Sequence, residues 1–158
     1  MASKKALVLY GGKIAQLQAG DTLAGPVQTE EFINLTNDEA GAISVGMAVY
    51  IDAPDGIKKA KADAGGTADV IGIVMQTSIA SGSSGAIQTG GVITATTGQW
   101  DAVTGGTGGL VFNDEYWLDN VTAGHITNVA PTSGYITKVG RAISTTEMLI
   151  DIEDSIQL

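Results

Sequence analysis

Apolar residues in this chain come in short runs, and Gly, Pro, Asn or Asp closes nearly every one. Such runs suit strands of about four to eight residues and are too short for packed helices. Within them the period is two. Ile14-Ala15-Gln16-Leu17-Gln18 alternates apolar and polar. Met47–Ile51 and Val70–Met75 read as mostly buried strands. Ala86–Thr89 and Val92–Thr96 read as two strands separated by Gly90-Gly91. Tyr116–Leu118, His125–Thr127, Tyr135–Val139 and Met148–Ile152 continue the series. The best helical candidate, Glu30–Ile33, is too short to stand. The spacing predicts an all-β fold, a small barrel or sandwich. There are 22 glycines with no Gly-X-Y period, so they punctuate turns and do not build a collagen helix. Only 5% of residues are aromatic, so Val, Ile, Leu and Ala must fill the core.

An internal echo organises the strands. Val49-Tyr50-Ile51-Asp52 matches Tyr116-Trp117-Leu118-Asp119 at an offset of 67, and Val70-Ile71-Gly72-Ile73 parallels Lys138-Val139-Gly140-Arg141 at an offset of 68. Between them, Gly56-Ile57 parallels Gly124-His125-Ile126. Each unit reads as a strand ending in Asp, a turn with Gly, a short strand, a loop, and a strand with a central Gly. Asp caps turns with its side chain and Gly takes the left-handed position, so a hairpin is expected at each Asp-to-Gly step. The central glycines, Gly72 and Gly140, predict a bulge, a bend or a close backbone approach. The division expected is an extended N-terminal arm over 1–24 and one β domain over 25–158.

Charge separates the same two parts. Residues 1–13 carry Lys4, Lys5 and Lys13 and no acid, a charge of +3. The remaining five basic residues face all 17 acids, a charge of −12. An acidic body repels nucleic acid and anionic membrane, so neither is an expected partner. A basic, apolar arm suits docking on an acidic protein surface. Ala6–Tyr10 is too short for the apolar core of a secretion signal, which runs about 7–15 residues. No apolar run approaches the roughly 18 residues of a membrane span.

The inventory for chemistry is thin. With no cysteine, disulfides and thiolate metal sites are excluded. A Ser-His-Asp set would have to use the single histidine, His125, which falls in an expected turn. Gly82-Ser83-Ser84-Gly85 lacks the spacing of a nucleophile elbow. Neither Gly-rich loop is followed by the lysine that a phosphate loop needs. Asp114-Glu115 and Asp151-Ile152-Glu153-Asp154 are the densest acidic stretches, with Asp151 and Glu153 sharing one face of a strand. Calcium needs only oxygen ligands and these could supply them, but a solvated acidic edge explains the pattern better. Sugar recognition would need an aromatic cleft, for which Trp100 and Trp117 are the candidates. No catalytic residue, cofactor, metal or small-molecule substrate is expected, and the chain reads as a structural protein that is not an enzyme.

Two stretches carry a resemblance. One is Gly12-Lys13-Ile14-Ala15-Gln16-Leu17-Gln18-Ala19-Gly20-Asp21-Thr22-Leu23. The other runs from Gly98-Gln99-Trp100-Asp101-Ala102-Val103 through Gly109-Leu110, Tyr116-Trp117-Leu118 and Gly124-His125-Ile126-Thr127 to Tyr135–Ile150. The pattern is similar to the capsid decoration (cement) proteins of tailed bacteriophages. The resemblance implies a β-tulip-like barrel or sandwich with an extended arm. It implies a homotrimer on the outer surface of the phage head, made in the host cytoplasm, with the major capsid protein as partner. The arm residues implied in contact with shell or neighbour are Lys4, Lys5, Leu7, Val8, Leu9, Tyr10, Lys13, Ile14 and Leu17. The alternative is a tail-fibre or baseplate-associated protein that binds a host surface, since similar modules occur there.

Overall fold

A computed structural model describes residues 31–158, together with the backbone of residues 7–10 and 13–16. β1 (Leu7–Tyr10) and β2 (Lys13–Gln16) pair with each other as an antiparallel hairpin. The body opens with β3 (Glu31–Asn37). β4 (Ile43–Ser44), β5 (Ala48–Ala53), β6 (Gly56–Lys59), a single helical turn α1 (Gly65–Ala68), β7 (Gly72–Val74), β8 (Ser78–Ile79) and β9 (Ser84–Thr94) follow.

Five of these strands close on themselves. β9 pairs with β3, β3 with β6, β6 with β5, β5 with β7, and β7 returns to β9. The β3–β6 contact is parallel and the others are antiparallel. Alternation sets what fills this barrel. Leu35, Val49, Ile57, Val74 and Ile87 are buried together, and the small β4–β8 ribbon adds Ile43 and Ile79. Each such aliphatic side chain contributes roughly 1.5–3 kcal/mol of burial.

The second half builds a sheet against the barrel wall. After α2 (Thr97–Thr104) come β10 (Glu115–Leu118), β11 (Ile126–Thr127), β12 (Tyr135–Ile136), β13 (Lys138–Ala142), β14 (Glu147–Ile150) and β15 (Ile156–Gln157). The sheet runs β11-β10-β13-β14-β9. Its core contains Trp100, Leu110, Leu118, Ile126, Val139 and Met148. Ala48 and Ile73 belong to this second core, while their chain neighbours Val49 and Val74 belong to the barrel interior. The β5–β7 wall therefore separates two cores, one on each face of its pleat.

β9 is one strand of eleven residues where two were expected. Its first half completes the barrel and its second half pairs with β14. The crossing point is Gly90-Gly91, where Gly91 takes a φ of +78°. Buried Gln88 fixes the bend, its Nε2 donating to the carbonyls of Gly90 (3.1 Å) and Val92 (2.9 Å).

The two echoing segments share a pairing order. β5 lies between β6 and β7, and β10 lies between β11 and β13, with every contact antiparallel. The central glycines both mark close approaches. A Cβ on Gly72 would run into the Gln88 carbonyl across the β7–β9 seam, and one on Gly140 into the Leu149 carbonyl of β14. The Asp-to-Gly turns differ between units. Gly124 takes a left-handed φ of +80°, and Asp119 accepts the N–H groups of Val121 and Thr122 at 3.1 Å each, as expected. In the first unit Asp55 takes the left-handed position (φ +60°), while Asp52 binds Lys58 and the Tyr50 hydroxyl instead of capping the turn.

α2 is a helix where none was expected, and Glu31–Ile33 lies in a strand instead of the short helix considered for it. The α2 termini explain its stability at eight residues. Thr96 and Gln99 form a reciprocal capping box, and Gly105 closes the far end at φ +68°. Trp100 then locks the helix down, fully buried, its indole N–H donating to the Thr146 carbonyl at 3.0 Å.

Closure at Gly72 gives a direct test. Gly72→Ala should lower unfolding free energy in urea by about 1–3 kcal/mol, as overpacking does. Gly66→Ala, where an added Cβ meets nothing within 4 Å, should change it little. Equal effects from the two substitutions would contradict the seam described.

Candidate interaction surface

The expected arm residues divide by position. Lys4, Lys5 and Leu17 lie outside the described residues. Leu7, Val8, Leu9 and Tyr10 lie on β1, and Lys13 and Ile14 on β2; their side chains are likewise outside the description. The backbone register pairs Leu7 with Gln16, Val8 with Ala15, Leu9 with Ile14 and Tyr10 with Lys13. Two residues, Gly11 and Gly12, separate the strands in sequence, a composition that two-residue hairpin connections favour.

On the body, the acidic stretches weighed for calcium are drawn to cations of the chain itself. Lys138 Nζ lies 2.6 Å from Asp151, 2.9 Å from Glu153 and 3.9 Å from Glu115. Arg141, opposite Glu115 across the β10–β13 pair, meets its carboxylate at 2.6 Å. Asp151 and Glu153 thus share a face as expected, with Lys138 between them. Asp114 accepts a hydrogen bond from Asn128 at 2.9 Å. Among the described residues, no group of three or more His, Asp or Glu side chains is arranged to hold a metal ion.

His125 sits at the β10–β11 connection, where its N–H donates to the Thr122 carbonyl and its carbonyl accepts from Asp119 N–H. The aromatic cleft considered around Trp100 does not form, because Trp100 is entirely buried. Above it, between α2 and the β4 region, a cleft of about 350 Å³ is lined by Val45, Met47, Ala102 and Val103, with Ser44, Thr77 and Gln99 at its polar margin. The Gln99 carbonyl oxygen there is already committed to the Thr96 N–H.

Two exposed apolar patches stand out against the charged surface. Val111 and Phe112 project from the loop before β10, beside Ile143. Leu110 N–H donates to Thr145 and Asn113 N–H to Ala142, which holds that loop against the β13–β14 turn. The other lies at the start of β3, where Phe32 (52% exposed) and Ile33 (42%) leave an apolar side chain on each face of the strand. The Ile33-Asn34-Leu35-Thr36 alternation is the signal that marks it.

No protein-family model matches the chain, and no curated protein matches it either.

The Lys138 cluster predicts a pH effect. Its hydrogen bond to Asp151, then that to Glu153, holds the ammonium charged above the usual lysine range. A raised folded pKa stabilises the fold fully below the unfolded value and is lost as pH climbs through the folded one. The unfolded value is about 10.4. The melting temperature of wild type should therefore exceed that of Lys138→Met at neutral pH, and the gap should narrow above about pH 10. A gap that is constant into strong alkali would exclude this charge from the stability of the fold.

Proposed function

We propose that this protein is a capsid decoration protein of a tailed bacteriophage, binding the outer surface of the assembled head as a non-enzymatic cement. The charge split between arm and body is the observation that carries the reading: +3 over residues 1–13 against −12 over the remainder. A closed barrel braced by a second sheet supplies the rigid body such a role needs. The hairpin of β1 and β2 precedes that body as a separate two-stranded sheet, leaving its outer edges to add strands to another chain. Lys4, Lys5 and Lys13 supply charge to pair with acids of the shell or of a neighbouring copy. Self-association, as the implied homotrimer, would multiply weak single contacts into avidity.

The test uses expanded, undecorated heads of the parent virus. Full-length protein should bind them to saturation and raise their resistance to heat or low salt. Protein lacking residues 1–13 should keep the circular-dichroism spectrum and melting transition of its body but lose most of its occupancy. Full occupancy by the truncated protein would rule out the arm as the attachment device.

A further inference from the structure

Among the described residues, the closed barrel leaves the start of β3 unpaired on one side. β3 pairs with β9 from Glu31 to Thr36, but β6 meets β3 only at Thr36 and Asn37. The direction of each backbone group follows from the bonds that are made. Asn37 N–H donates to Ser83 on the β9 side, whereas Thr36 and Asp38 N–H donate to Asp55 and Ile57 on the β6 side. Backbone groups alternate in an antiparallel strand, so Phe32 and Asn34 also direct N–H and C=O to the β6 side. Among the described residues no strand meets them there. The open edge spans Glu31–Asn34, and all four residues are exposed. Phe32 and Ile33 are exposed on it, next to the acid Glu31, and its unpaired backbone groups invite strand addition.

We infer that this edge receives the β1–β2 hairpin of a second copy of the chain. This deepens the proposed role of the arm and rests on it, since it names what the arm grips. Three features select the occupant. The edge is four residues long, and β1 and β2 are four residues each. It is bracketed by the acids Glu31 and Asp55, both exposed, while the chain through Lys13 is basic and free of acid. Among the described residues, β1 and β2 pair only with each other. Fourteen residues separate Gln16 from Glu31, enough to span at most roughly 45–50 Å and so to reach an adjacent body. A hairpin passed from each copy to the next is a heterologous contact, which gives a ring where the rotation between copies closes and an open filament where it does not.

The experiment is light scattering on purified full-length protein without any phage heads, so its result is separate from head binding. Wild type should be an oligomer. Asn34→Pro removes one outward N–H and leaves the β9 ladder untouched, so it should give a monomer with the wild-type circular-dichroism spectrum. If that variant misfolds, Phe32→Lys serves in its place, because it sets a cation against the basic hairpin and should also give a folded monomer. A monomeric wild type would overturn the inference, whether the edge is filled by the hairpin of the same chain or only by the shell. An oligomer unchanged in a folded edge variant would overturn it too. In either case head binding that depends on residues 1–13 would still stand.

Discussion

The bend of β9 at Gly90-Gly91 is the constraint on which the rest of the body depends. One strand serves as the last wall of the barrel and the first strand of the flanking sheet. Straightening it would either open the β7–β9 seam or strip β14 of its partner. Gln88 holds the bend with its side-chain amide, and Gly72 allows β7 to approach close enough to seal the seam. Two modest cores can then share the wall between them. The barrel core is filled by aliphatic side chains alone, whereas the second core takes in Trp100 and Tyr116.

The flanking half adds rigidity from outside. Trp100, the largest buried side chain, pins α2 to the strand connection at Thr146. Asp101 accepts the N–H groups of Gly108 and Gly109, tying the Gly-rich loop back to the same helix. A loop that composition alone marks as flexible is thereby anchored at both the helix and the β14 side, where Leu110 bonds to Thr145.

The strand content and the two-part echo were legible, because period-two alternation and glycine spacing are local signals. The shared pairing order of β6-β5-β7 and β11-β10-β13 matches the segments that echo in sequence. The continuity of β9 was not legible, since Gly90-Gly91 has the composition of a hairpin turn and only the tertiary crossing makes it a bend. Helix α2 was overlooked although Thr96, Gln99 and Gly105 spell its caps; eight residues give too little periodicity to register. The partners of Asp151 and Glu153 come from β13, thirteen and fifteen residues away, a distance that charge patterning alone does not bridge. Of the proposed attachment device, the charge and β-propensity of the arm were readable, whereas its receiving edge was not. An open edge is a property of what fails to pair, and it becomes visible only once the barrel is closed.

A rigid acidic body with a basic hairpin ahead of it suits a protein used in many copies on a repeating lattice. The most direct measurement is the copy number and position of this chain in purified virions, by quantitative mass spectrometry with labelling of the particle surface. A decoration role requires copies in fixed proportion to the major capsid protein, all on the outer head surface. A few copies per particle, confined to the tail, would contradict it.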